Sequence, residues 1–200
     1  MITRFLFLAI AFLLFPAKRG YSSEPDETLL RKSGISIIPY PQSVIFRGTD
    51  FILSGSVKIH LDKGASPEDI FAANELIRQL RDQWRIICNI TENSKESSIF
   101  LTRKKTLRQL GDQGYQLDIS SGRVIVSANE ATGLFYGMQS LLQLIQKENS
   151  RLYIRGMIIN DWPDISIRAV HYDTKHFQEK KNYVFNFIRV LASYKINMLI

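Results

Sequence analysis

Several chemistries are excluded by what this sequence lacks. It has one cysteine in 200 residues, Cys88, so no intrachain disulfide staples the fold. No Gly-x-Gly-x-x-Gly turn and no P-loop occurs, and no glycine follows Gly156. A dinucleotide or nucleotide site needs such glycines so that backbone can approach phosphate. No Gly-x-Ser-x-Gly elbow is present either, which removes one common setting for a nucleophilic serine. Long apolar runs are missing: the longest, Phe5–Phe15, is eleven residues, against about 20 needed to cross the hydrocarbon core as a helix. With 6 Pro and 11 Gly, 45% hydrophobic and 22% charged residues, the composition is that of a globular protein rather than a disordered or collagen-like chain.

The formal charge of +7 is less informative than it looks. Residues 1–22 contain Arg4, Lys18 and Arg19 and no acid; without them 23 basic residues face 19 acidic ones, a net charge of +4. The basic residues are scattered, and no basic stripe with interleaved aromatics marks a nucleic-acid surface. The same segment has the layout of a secretory signal peptide: a charged Met1–Arg4, the apolar run, then a polar stretch of small residues. Residues 1–22 are therefore expected to direct export to a periplasmic, extracellular or lysosomal/secretory destination, with no membrane span after cleavage. Residues 23–34 read as a linker.

Residues 35–160 read as an α+β domain, a mostly antiparallel sheet with two helices. Strands are expected at Ile35–Ile38, Ser43–Phe46, Phe51–Leu53 and Val57–Leu61, with proline and glycine marking turns. A helix starts at Ser66, with Pro67 in its first turn and Glu68 and Asp69 complementing its dipole. Ile70, Ala73, Ile77, Leu80 and Trp84 are expected to form its apolar face. Further strands are expected at Ile86–Ile90 and Ser98–Thr102, and a hairpin pairs Gly114–Ile119 with Arg123–Ser127. A second helix is expected from Glu130 to Lys147, and Leu152–Ile159 as one strand. Gly133 and Gly137 lie on one side of that helix at about 1 kcal/mol each against alanine, which assigns them to a close approach between helix and sheet. Nothing in this region reads as a parallel βαβ unit. Cys88 lies in an apolar run and reads as a buried thiol. Asn89-Ile90-Thr91 fits a glycosylation acceptor, although its apolar neighbours favour a strand.

Residues 161–200 are different in kind: a strand at Ile167–Tyr172, an amphipathic helix at Lys181–Tyr194, and an apolar strand at Ile196–Ile200. Strand–helix–strand units repeat in parallel α/β sheets and barrels, and one alone cannot cover both faces of its strands. A truncated start of a (β/α)8 barrel is the expectation. In such folds ligands sit at the carboxyl ends of the strands, where the turn Asp173-Thr174-Lys175-His176-Phe177 gathers an acid, a hydroxyl, a cation and an imidazole. Asp173, Lys175 and His176 are the candidate substrate-binding residues, with Arg168, Gly133 and Gly137 structural. In a purely structural alternative, Asp173 and Lys175 cap the next helix or pair with Arg168. His171, Asp173 and His176 lack the spacing of a metal site, so no metal is assigned. Neither is a catalytic carboxylate pair.

Three stretches resemble the glycoside hydrolase family 20 β-N-acetylhexosaminidases. They are Ile37-Ile38-Pro39-Tyr40-Pro41-Gln42; Gly114-Tyr115-Gln116-Leu117-Asp118-Ile119 with Gly133 through Leu141; and Asp161-Trp162-Pro163-Asp164 with Arg168 through Asp173 and Tyr194-Lys195-Ile196-Asn197-Met198. The resemblance covers residues 35–200. It implies the N-terminal portion of a secreted exo-glycosidase acting on terminal N-acetylhexosamine of glycans without a cofactor. The mechanism it implies is substrate-assisted, with an Asp-Glu pair beyond residue 200, so that this portion alone is inactive. One departure stands out: the family turn carries Arg before His, where this chain has Lys175 in a turn one residue shorter. Lysine is a point charge and does not reproduce a planar bidentate grip, which leaves room for a divergent subgroup or a family-84-like hexosaminidase. A non-catalytic carbohydrate-binding or support protein and an exported solute-binding protein are the remaining alternatives. Oligomeric state is not encoded in any of these features.

Overall fold

Period-two alternation of apolar and polar residues marks most of the strands in this chain. The computed structural model describes residues 29–54, 56–96, 98–104, 107–173, 175 and 179–200. The expected signal peptide at 1–22 and the first residues of the linker lie outside them. In order come α1 (Leu29–Lys32), β1 (Ser43–Phe46), β2 (Phe51–Leu53), β3 (Ser56–Leu61), α2 (Pro67–Trp84) and β4 (Ile87–Thr91). Next are β5 (Ile99–Arg103), β6 (Tyr115–Ser120), β7 (Arg123–Ala128), α3 (Ala131–Gln143), β8 (Gln146–Glu148), β9 (Arg151–Ile154) and β10 (Met157–Asp161). A final unit holds β11 (Ala169–Val170), α4 (Lys181–Ser193) and β12 (Met198–Leu199).

The structure is the expected α+β domain with a mostly antiparallel arrangement. Seven strands form one sheet in the order β1-β10-β6-β7-β5-β3-β4, and β2-β9-β8 form a second. Five of the eight pairings in these two sheets are antiparallel. The parallel part corrects the sequence reading, because β3 and β4 pair in parallel across α2 and so form a βαβ crossover. Alternation reveals a strand's buried face but not its direction. The 18-residue helix between these strands was the available clue, since parallel neighbours need a long crossover.

α2 begins as its sequence dictates. The Ser66 side chain accepts the Asp69 backbone N–H, and Asp69 accepts the Ser66 N–H, a reciprocal capping box with Pro67 in the first turn. Its buried face is Ala72, Ala73, Leu76 and Leu80, rotated from the expected one: Ile70 is 43% exposed, and Ile77 and Trp84 are only partly buried. α3 is shorter than expected and ends at Gln143; Leu144 and Ile145 are buried in the turn that leads into β8. Nine of the 13 residues of α3 are buried, which brings it hard against the sheet. A Cβ on Gly133 would lie 2.2 Å from the Gly114 carbonyl oxygen, and one on Gly137 2.6 Å from Val126 Cγ1.

Two further expectations change. Ile35–Ile38 is not a strand: Ile35 and Ile37 are buried, while the Ile38 N–H and C=O are both met by the side-chain amide of Gln143, at 2.9 and 3.0 Å. A glutamine side chain takes the place of a neighbouring strand, a substitution that no periodicity signals. Leu152–Ile159 divides into β9 and β10, which belong to different sheets. The bend falls at Gly156, where a Cβ would lie 2.0 Å from the Thr49 carbonyl oxygen. Elsewhere, Leu30 of α1 reaches the core from within the segment read as linker. Cys88 is buried, and burial pushes its thiol up to about 11. Asn89 is exposed on β4, an edge strand of the seven-stranded sheet.

Candidate functional site

β11 and β12 pair in parallel, and the Tyr172 N–H continues the ladder to the Ile200 carbonyl oxygen at 2.7 Å. Asp173 and Lys175 therefore emerge at the carboxyl end of β11, and both are exposed. The Asp173 carboxylate accepts the Lys175 backbone N–H at 2.7 Å, a tight local turn that fixes the two residues relative to each other. His176 lies outside the described residues. The capping alternative fails, because the N-cap of α4 is Lys180 with no side-chain cap bond. Arg168 also turns away from this end. Its guanidinium donates to the carbonyl oxygens of Lys195 and Ile165 at 2.8 and 2.7 Å and to the Gln113 side chain at 2.9 Å, and it lies 5.3 Å from the centre of the Tyr136 ring. Among the described residues, no group of three or more His, Cys, Asp and Glu is placed to hold a metal ion.

The densest polar chemistry lies at the opposite, amino end of β11 and β12. Lys195, 4% exposed and in the left-handed region at φ 60°, donates to Asp161 at 2.7 Å and to the Tyr115 hydroxyl at 2.8 Å. Tyr115 in turn donates to the same Asp161 oxygen at 2.8 Å, and its hydroxyl lies 2.6 Å from Ser140 Oγ. Burial holds the Lys195 ammonium below its ordinary pKa, opposed by the adjacent Asp161 charge; burial and that carboxylate together push the Tyr115 hydroxyl well up. The network thus joins Lys195, in the turn after α4, to Asp161 of β10, Tyr115 of β6 and Ser140 of α3.

Lys195, Asp161 and Tyr115 help line a cavity of about 230 Å³ between the domain and the segments flanking β11 and β12, together with Tyr40, Gln42, Trp162, Pro163, Asp164 and Arg168. The sequence reading missed the network, although its members stand in the motifs quoted above. One physical signal was available for Asp161. In β10, Met157, Ile159 and Asp161 share the inward parity of a strand, so a carboxylate sits on a buried face and demands a cation or hydroxyl partner. For Lys195 no comparable local signal exists, because its partners lie 34 and 80 residues away.

Comparison with known proteins fits this architecture. The family model Glycosyl hydrolase family 20, domain 2 matches residues 34–162. A β-hexosaminidase B from Pseudoalteromonas piscicida is 24% identical over 168 residues, which are 84% of this chain and 20% of that protein. Among solved structures, the Streptomyces plicatus N-acetyl-β-hexosaminidase in complex with Thio-NAglucal superposes with a TM-score of 0.74 at 27% identity, covering 82% of this chain and 33% of that one. A mutant of the Streptomyces plicatus enzyme in complex with its product GlcNAc gives 0.72 at 26% identity over the same shares. The chain thus spans a fifth to a third of the length of these relatives. Since the family model covers well over half of the chain, including the whole seven-stranded sheet and both of its helices, this protein belongs to glycoside hydrolase family 20.

Proposed function

We propose that the full-length protein is an exported exo-glycosidase that removes terminal β-linked N-acetylhexosamine from glycans. The observation that carries this reading is the family 20 match. It is supported by a parallel strand–helix–strand unit that follows the domain and carries Asp173 and Lys175 at a strand's carboxyl end, the end used for ligands in barrels of this kind. The β11–α4–β12 unit is then the first piece of a catalytic barrel, and the α+β domain is its support. Residues 1–22 are the export signal; among the described residues no helix is long and apolar enough to cross a membrane.

In the proposed reaction the 2-acetamido oxygen of the substrate attacks its own anomeric carbon. An aspartate orients and charges the amide, and a glutamate protonates the leaving oxygen. An intramolecular nucleophile has a high effective concentration, so the protein supplies only the polarising acid and the proton donor, outside the usual two-carboxylate scheme. Both acids belong to the portion beyond residue 200. The role of this chain's own residues is sugar binding: Asp173, Lys175 and His176 hydrogen-bond hydroxyls of the terminal ring, Lys175 as a point charge where the family has a planar guanidinium. Hydrolysis of a nitrophenyl N-acetyl-β-glucosaminide by the full-length protein is the test. Activity that falls at least tenfold in kcat/KM in Asp173→Ala supports the reading, and a full-length protein inert toward β-N-acetylglucosaminides and galactosaminides sinks it.

A further inference from the structure

We propose that the cleft between the α+β domain and the β11–α4–β12 unit binds one neutral pyranose ring. Its volume of about 230 Å³ is smaller than the roughly 300–1,000 Å³ of clefts that take drug-sized ligands, which restricts an occupant to about one ring. Tyr40, Trp162 and Pro163 provide apolar lining. The Gln42 amide nitrogen is spent on an Asp164 oxygen at 3.0 Å and the Trp162 carbonyl at 3.3 Å, so the polar edge is the Gln42 carbonyl oxygen and the second Asp164 oxygen, both acceptors. A pyranose has the matching division, with C–H faces for the apolar lining and a hydroxyl edge that donates to those two acceptors. Charge selects a neutral ligand. Lys195 and Arg168 in the lining are offset by Asp161 and Asp164, so an anion meets two carboxylates and a cation meets two cationic groups.

The polar lining is built rather than incidental. Lys195 is 4% exposed and spends two of its three ammonium donors on Asp161 and Tyr115. Tyr40 stands 46% exposed, so a ring can reach it from solvent. Asp173 and Lys175 lie at the other end of β11, so a sugar held in this cleft is held by different residues. The choice of N-acetylglucosamine as probe rests on the hexosaminidase reading; the cleft's preference for a neutral ring does not.

The test uses the full-length protein with N-acetylglucosamine, by calorimetry and by soaking crystals. The expected result is a ring seated against Tyr40 and Trp162, and a calorimetric binding event weakened roughly tenfold or more in both Trp162→Ala and Tyr40→Ala. Tyr40→Ala, at an exposed position, serves if Trp162→Ala does not fold. The proposal is overturned by an empty cleft, by a cleft filled by the rest of the protein's own chain, by binding at soaking concentration only, or by unchanged affinity in the variants. A protein without glycosidase activity that still holds the ring in this cleft defeats the hexosaminidase reading and leaves the cleft standing.

Discussion

α3 and α4 are both 13 residues long and both carry an apolar stripe, yet nine residues of α3 are buried and none of α4. α3 has the seven-stranded sheet beneath it and α2 beside it, and its two glycines let it sit close to the strands. α4 has the flank of α3 beside it, and among the described residues it leaves Tyr183, Phe185, Ile188 and Val190 between 44% and 52% exposed. Amphipathic spacing thus tells which face of a helix seeks cover, while the amount of cover depends on what the rest of the fold brings to it. The two regions are joined by the buried Lys195–Asp161 pair and by Arg168, which reaches Gln113 and Tyr136.

The sharpest way to break the comparison is to cut the buried pair. Lys195→Met leaves Asp161 buried and uncompensated, and is expected to cost about 3–5 kcal/mol in urea unfolding. Replacing Asp161 by leucine as well should recover most of the loss, because a hydrophobic pair can replace a buried ion pair; equal losses in single and double variants would show that the charges do not interact. Next, Leu141→Ala in α3, at 1% exposure, is expected to cost about 2–5 kcal/mol, whereas Phe185→Ala in α4, at 45% exposure, stays within about 0.5 kcal/mol. Comparable costs at the two positions would mean that α4 is as well packed as α3.

Gly133→Ala probes the close approach itself. The new methyl meets backbone at Gly114 rather than a movable side chain, and the expected loss is about 1–3 kcal/mol of overpacking, read from the midpoint of thermal unfolding. The helix starts differ too. Ser66→Ala removes the cap of α2 at about 1 kcal/mol, while Lys180→Ser supplies the cap that α4 lacks and should stabilise by several tenths. The smallest effect concerns Cys88. Burial pushes its folded thiol up to about 11, above the ordinary value of 9.0 for an exposed thiol, so the unfolded chain releases this proton first. Its contribution to stability is complete below pH 9 and is lost as pH rises toward 11. Native protein at pH 8 should resist alkylation at this thiol and denatured protein should react; rapid native labelling would contradict the burial.

Much of the domain was legible because its signals are local. Ser66, Pro67 and Asp69 mark the start of α2, and the bounds of β1 and β2 follow from alternation between turn residues. Missed features share one cause, that each depends on a partner distant in sequence. Gln143 replacing a strand beside Ile38, Gly156 bending one apolar run into two sheets, and the parallel pairing of β3 with β4 are decided by neighbours that alternation does not name. The candidate site divides in the same way. Asp173 and Lys175 are proposed from their place after a strand, whereas Lys195, Asp161 and Tyr115 form a group only because β10, β6 and the turn after α4 converge.

By itself, then, the sequence determined the α+β composition, most strand and helix positions and the resemblance to family 20, because each follows from residues close along the chain. Tertiary structure alone decided strand direction, the rotation of α2, the buried Lys195–Asp161–Tyr115 triangle and the cleft above it. Those arise where a buried charge must find its partner and a helix face must find its cover, and both are conditions on space rather than on spacing.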